Sequence, residues 1–212
     1  GYAFENGELI ATSWLAVIFN PSFPYRFAHM MVACLITASF LVAGVSAWRV
    51  IKKVDGPATN KVLRVAIIAA AILTPTQVFL GDLHGLNTFE HQPAKVAAME
   101  GVWETQRGAP LTLFGIIDEE ARETRYAIKI PNVASLILTH DSNGEVKGLN
   151  DFIGEHPPVA PVFWSFRVMV GVGFLMLVVS WDCCWQLWRQ KELGHLSLRI
   201  LFAMSFSGWV AV

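Results

Sequence analysis

Two residues of ligand type lie inside apolar stretches of the sequence, where a polar side chain is costly and therefore often functional. His29 lies about four residues inside one stretch, roughly 6 Å below its outer end at the rise of a helix. Met169 lies about five residues inside another stretch. Imidazole and thioether can bind one haem iron from opposite faces, and such a six-coordinate iron transfers electrons. The alternatives are a core histidine bonded to a carbonyl and a methionine that only packs.

A basic residue accompanies the methionine. Arg167 precedes Met169 by two residues, which places it about 200° away around a helix. Its guanidinium pairs well with carboxylates, so it could bind the propionates of a haem. A long side chain that reaches the lipid headgroups is an equally good interpretation.

Lys95 and Glu100 stand five residues apart in a segment, 92–104, that is predicted to form a short helix. Such spacing sets them about 140° apart and roughly 7.5 Å along the axis, so that they would flank a ligand. A carboxylate can accept a proton from a hydroxyl group, and an ammonium can hold an oxygen atom. A solvated helix face is the alternative. Four histidines of the polar segment 82–161 are scattered without the spacing of metal ligands, so no metal is assigned to them: His84, His91, His140 and His156.

The elements that must position these residues are membrane helices. Hydrophobic residues make up 54% of the 212 residues and charged residues 16%, against roughly 25% charged in soluble domains. About 20 apolar residues suffice to cross the hydrocarbon as a helix. The sequence therefore predicts an all-α integral membrane bundle with spans at 25–48, 62–81 and 162–187, and with 200–212 as the start of a truncated span.

The charges of the links predict the orientation. The first link, 49–61 with its flanking Arg64, holds five basic residues and one acidic residue, and the link 188–199 is also basic, so both should be cytoplasmic. In the segment 82–161 acidic residues outnumber basic ones, so this segment should lie on the outer side of the membrane. Residues 1–24 should lie along the outer membrane interface. The net charge of −1 argues against a nucleic-acid partner.

Four motifs in order carry a family resemblance: FAHMMVACLITASFLVAGVSAW, AKVAAMEGVWET, LTLFGI and FWSFRVMVG. Together they resemble subunit I of the cytochrome bd quinol oxidases, including the cyanide-insensitive branch, over essentially the whole chain. The short stretch between the last two motifs is similar to the class with an abbreviated quinol-binding loop, the Q loop. Helices with further haem ligands are absent, so the chain is expected to be an internal fragment.

The resemblance implies roles for individual residues. His29 and Met169 would be the axial ligands of a low-spin haem b, and Arg167 would support that haem. Lys95 and Glu100 would bind and oxidise quinol in a periplasmic Q loop. The oxygen site, with haem b and haem d or a further haem b, would lie elsewhere in the full subunit.

The resemblance also implies the setting of the protein. It would be a quinol:oxygen oxidoreductase of the bacterial inner membrane that contributes to the proton gradient. Its partners would be subunit II, a small single-span subunit, membrane quinol and the lipid bilayer.

Two other functions remain open at this stage. In a transporter or channel subunit, His29, Arg167 and Asp182 would line a polar path, and the protein would be colourless. In a non-catalytic assembly subunit, the outer segment would dock a partner, and Lys95 and Glu100 would be surface charges.

Overall fold

Helices make up most of the structure. A computed structural model describes residues 2–5, 7–54, 56–190 and 192–211. Asp55 and Lys191, which belong to the two predicted cytoplasmic links, lie outside the described residues. The α-helices are α1 (Trp14–Ile18), α2 (Phe23–Lys52), α3 (Pro57–His91), α4 (Pro93–Glu100), α5 (Val133–Thr139), α6 (Val159–Gln190), α7 (His195–Ala203) and α8 (Ser207–Ala211).

In the described part of the chain, short strands form three antiparallel pairs. The first pair, β1 with β2, precedes α1, and the other two lie between α4 and α6. A 3-10 turn, Leu149–Phe152, follows the last strand. The strands are β1 (Tyr2–Glu5), β2 (Glu8–Ala11), β3 (Gln106–Arg107), β4 (Leu111–Asp118), β5 (Glu123–Ile130) and β6 (Glu145–Val146), paired as β1 with β2, β3 with β6 and β4 with β5.

Among the described residues, three helices, α2, α3 and α6, are long and apolar enough to cross a membrane. The predicted membrane helix bundle is thereby confirmed. Each helix is longer than the predicted apolar stretch, because flanking residues continue it at both ends. Helix α2 begins with Pro24 in its first turn, where a missing N–H costs nothing, and it ends at Lys53 in the left-handed conformation.

Helix α3 differs most from its predicted range. It continues past Gly81 for ten further residues, to His91. The polar side chains of this extension bond within the helix, as when the Thr88 hydroxyl donates to the His84 carbonyl at 2.8 Å. Pro93 then begins the next helix, since a proline cannot continue the preceding one. At the helical rise, the extension lengthens α3 by about 15 Å beyond its predicted end at Gly81.

The main core joins α2, α3, α6 and α7. Small residues let the helices approach closely, because membrane helices associate through packing rather than through a hydrophobic effect between them. The most buried side chains of this core are those of Phe40, Ala43, Ala47, Ile67, Ala70, Cys183 and Leu201.

Helix α3 contains a proline inside its membrane span, and another helix repairs the resulting gap. Pro75 has no N–H to donate to the carbonyl of Ala71, four residues earlier. The indole Nε1 of Trp181 on α6 donates to that carbonyl instead, at 2.9 Å. Since lipid offers no hydrogen bonds, the bond between the two helices satisfies a group that would otherwise be costly.

Replacing Trp181 with phenylalanine should therefore destabilise the purified protein by about 1 kcal/mol, because the Ala71 carbonyl loses its donor. Thermal or denaturant unfolding in detergent measures this difference.

A Pro75→Ala background provides the control for this prediction. Alanine restores the backbone N–H, so the same Trp181→Phe change should cost less there than in the native protein. Equal costs in both backgrounds would show that the tryptophan acts only through packing.

The segment between α4 and α6 is folded and contributes to smaller apolar cores. Ala97, Trp103, Leu149 and Val159 form one of them. A carboxylate of the segment also caps α6: Glu119 Oε1 accepts from the N–H groups of Val159 and Ala160 at 3.0 and 3.1 Å. Residues 92–158, here called the outer segment, thus lie on the start of α6.

Candidate functional site

Glu100 is the last residue of α4, and its side chain is buried at 6% exposure. Helix α4 packs against α6 through Ala97 and Ala98, which have no exposed surface. Gly101 ends the helix in the left-handed conformation, at φ 65°, which a glycine adopts without strain. The chain turns away at once and leaves the carboxyl group between α4 and α6.

Arg167 of α6 reaches into the same place. Its guanidinium donates to the carbonyl oxygens of Met99, Thr112 and Phe163. It also lies on the ring of Phe163, with 3.4 Å between the guanidinium carbon and the ring centroid. One side chain thereby joins α6, the end of α4 and strand β4.

The two residues form a buried ion pair of incomplete geometry. Arg167 Nη2 lies 3.7 Å from Glu100 Oε2, beyond hydrogen-bond distance. Within the described part of the chain, that carboxylate oxygen has no hydrogen-bond partner. Burial raises the pKa of Glu100 to about 7, although the Arg167 charge acts in the opposite direction. The carboxyl group can therefore gain or lose a proton near neutral pH.

Lys95 lies on the other side of α4 and is exposed. Its charge acts on His84 of α3, as does the charge of Arg26 at the start of α2. Glu100 is thus buried on one face of α4 while Lys95 faces outward, towards the ends of α2 and α3.

His29 lies in the second turn of α2 and faces α3. Its Nε2 is 3.0 Å from the amide nitrogen of Gln77, which donates in the neutral tautomer whose Nε2 carries no proton. The ring of His84 lies 5.5 Å away between centroids. A side chain at Gly81 would approach the His29 ring to 3.3 Å, so the glycine leaves room for the imidazole.

Two polar atoms of this cluster are buried without a partner among the described residues, namely His29 Nδ1 and Gln77 Oε1. An unpaired polar group inside a membrane span is costly. Their state indicates a missing partner near the imidazole, and a neutral imidazole is a ligand that haem iron takes. The residues present therefore fit a haem at this position.

Met169 is half-buried on α6, two residues beyond Arg167. Helix α3 packs against both α2, which carries His29, and α6, which carries Met169. The structure therefore places both candidate ligands on helices that share one neighbour. Their joint binding of an iron stays a prediction.

Sequence reasoning missed three residues of this region. Gln77 lies inside the predicted span, and His84 lies on the polar extension of α3 that hydropathy assigns to a loop. Their seven-residue spacing sets them on one helix face. Thr124 lies on strand β5 and bonds to the turn after Glu100. No local pattern indicates this last contact, because 23 residues separate the two partners.

Comparisons with known proteins agree over the whole chain. The profile of the family described as cytochrome bd terminal oxidase subunit I matches residues 1–212. The chain belongs to this family.

Relatives in the family show how much of the subunit is present. Cytochrome bd ubiquinol oxidase subunit 1 of Bacillus subtilis is 32% identical over 230 residues, which cover 99% of this chain and 49% of the relative. Cytochrome bd-II ubiquinol oxidase subunit 1 of Escherichia coli is 26% identical, with 87% of this chain and 49% of the relative covered. The chain therefore spans about half the length of these relatives.

A solved structure also matches the fold. The bd oxidase from Geobacillus thermodenitrificans superposes with a TM-score of 0.91 at 31% identity, and the match covers 100% of this chain and 49% of that one.

Proposed function

We propose that the chain is the quinol-oxidising, low-spin haem b part of a bd-type terminal oxidase. The complete enzyme would transfer electrons from quinol to oxygen in the bacterial inner membrane, with the outer segment as a periplasmic Q loop. Two relatives that support this proposal are named ubiquinol oxidase subunits.

The observation that carries the proposal is the buried carboxyl group of Glu100. It lies at the end of the short helix α4, packed against the membrane helix α6, has a pKa of about 7 and keeps one oxygen free of hydrogen bonds among the described residues. A general base works best when its pKa is near the operating pH. Quinol oxidation requires such a group, because each hydroxyl must lose a proton as electrons leave.

The outer segment supplies the other contacts in this proposal. Lys95, exposed on α4, holds a quinol oxygen through its ammonium group. Glu100 accepts a hydroxyl proton on its free oxygen. Arg167 stabilises the carboxylate once the proton has been released to the outside.

His29 and Met169 would hold the low-spin haem b, and Arg167 would support it from the same helix. When bound, this haem supplies transfer of single electrons without binding oxygen. Gln77 and His84 line the imidazole in the proposed arrangement.

The remaining parts of the enzyme lie outside the chain in this proposal. The oxygen site would contain haem b and haem d or a further haem b, held by the rest of subunit I. Subunit II and a small single-span subunit would complete the complex. Protons released from quinol outside would add to the transmembrane gradient.

A visible difference spectrum of the complete purified oxidase, reduced with dithionite against oxidised, tests the proposal. We expect the band of a low-spin haem b that quinol also reduces. A colourless protein would support the transporter alternative instead. A haem band that quinol cannot reduce would contradict the proposed quinol site.

A further inference from the structure

One hydroxyl group ties the turn after Glu100 to the outer segment. Thr124 Oγ1 on β5 donates to the carbonyl of Gly101 at 3.0 Å. The same oxygen accepts from the indole Nε1 of Trp103, also at 3.0 Å. A single side chain thus bonds to both the first and the third residue after the carboxylate.

Close packing on both sides fixes the position of the contact between Thr124 and the turn. A side chain at Gly101 would lie 2.9 Å from the ring of Phe163, so the turn rests directly on α6. A side chain at Gly115 would lie 2.5 Å from the methyl group of Thr124, so strand β4 makes room for the threonine. Trp103 is 8% exposed and packs into the core of the outer segment.

Arg167 holds the other side of Glu100. It donates to the carbonyl of Met99, directly before Glu100, and to that of Thr112 on β4. The backbone is therefore bonded immediately before and immediately after the carboxylate. Since Glu100 Oε2 itself has no bond among the described residues, its direction is set by these two neighbours.

We propose that Thr124 is a positioning residue that fixes the carboxyl group of Glu100 for proton transfer from quinol. The hairpin of β4 and β5 thereby becomes part of the quinol site, although neither strand contributes a group that reacts. The inference rests on the proposed function, because it assumes that Glu100 is the base.

The test is Thr124→Val in the complete membrane-bound oxidase. Valine keeps the shape but leaves the Gly101 carbonyl and the Trp103 indole without this partner. We expect kcat for quinol oxidation, per haem, to fall about tenfold, because small displacements of a catalytic group are costly. KM should change less than about twofold, and the rate with an artificial electron donor should stay unchanged.

The pH profile separates positioning from general damage. In the native enzyme the rate should rise with pH through the pKa of Glu100, about 7. A loosened turn admits water, which lowers the pKa of Glu100 towards its ordinary value of 4.5. The acid limb should then move to lower pH while the plateau falls.

Arg167 on α6 is the group whose charge acts on the carboxylate. Other titratable groups on α4 and on the elements packed against it include Lys95 on α4, Asp82, His84, Glu90 and His91 on α3, and Asp151 in the 3-10 turn.

Two variants serve as controls. Thr124→Ser keeps the hydroxyl and should restore most of the rate and the native pH profile. Thr76→Val removes an exposed hydroxyl that bonds to the Ile72 carbonyl of its own helix, and it should change nothing.

The outcomes are distinct. If Thr124→Val oxidises quinol at the native rate with the native acid limb, the inference is overturned while the proposed function stands. If Thr124→Val fails to assemble, Trp103→Phe decides, because it removes one bond and keeps an aromatic ring; an unchanged kcat and pH profile there also overturn the inference. If Glu100→Gln oxidises quinol normally, the proposed function itself fails.

Discussion

Replacing Met169 with leucine is expected to remove or convert the spectrum of the low-spin haem while the protein still inserts into the membrane. Leucine has nearly the same volume as methionine, so the packing of the half-buried position on α6 changes little. It has no sulfur lone pair, and the iron would lose one of its two proposed ligands.

Difference spectra of isolated membranes and of the purified complex measure this effect. Met176→Leu is the matched control, because Met176 is a buried methionine of the same helix that belongs to the apolar core. It should retain the native spectrum. An unchanged spectrum in Met169→Leu would end the assignment of the thioether as a ligand.

The second large effect is expected for Glu100→Gln. Glutamine keeps the shape of the buried side chain but cannot accept a proton, so quinol oxidation should fall by about 10²- to 10⁴-fold. Artificial donors that deliver electrons without protons should remain effective. Steady-state oxygen consumption with both kinds of donor gives the comparison.

The pH dependence of the same reaction follows from the burial of Glu100. The base is active when deprotonated, and burial raises its pKa to about 7. The native rate should therefore be low below pH 7 and rise above it. The midpoint of this rise should lie about two and a half pH units above the ordinary carboxyl pKa of 4.5. In Glu100→Gln the residual rate should lack this limb.

Glu120→Gln is the control for the carboxylate, because Glu120 is an exposed residue of the turn between β4 and β5. It should oxidise quinol like the native enzyme. Equal loss with quinol and with artificial donors in Glu100→Gln would show that Glu100 supports the structure rather than the reaction.

Hydropathy predicts the membrane helices of this chain, since lipid demands long apolar segments with internal hydrogen bonds. It does not predict their ends. The extension of α3 from Asp82 to His91 is polar, and its helical state depends on bonds such as that from Thr88 to the His84 carbonyl. A composition average misses such bonds, so it assigns His84 to a loop.

The candidate site could also be predicted only in part: its residues could be named, but their burial and partners could not. Helical spacing separates Lys95 from Glu100, and the structure exposes one and buries the other. The burial itself arises from α6, which lies about 60 residues further along the chain. Likewise, the bonds of Arg167 go to the outer segment, a destination that no spacing within its own helix could indicate.

The hydrogen bond from Trp181 to the Ala71 carbonyl has a consequence for the order of assembly. The ribosome synthesises α3 before α6, so the Ala71 carbonyl lacks its indole donor while the outer segment is translated. Helix α3 can therefore complete its hydrogen bonding only when α6 packs beside it. Assembly of this half of the subunit is therefore completed by the late helix.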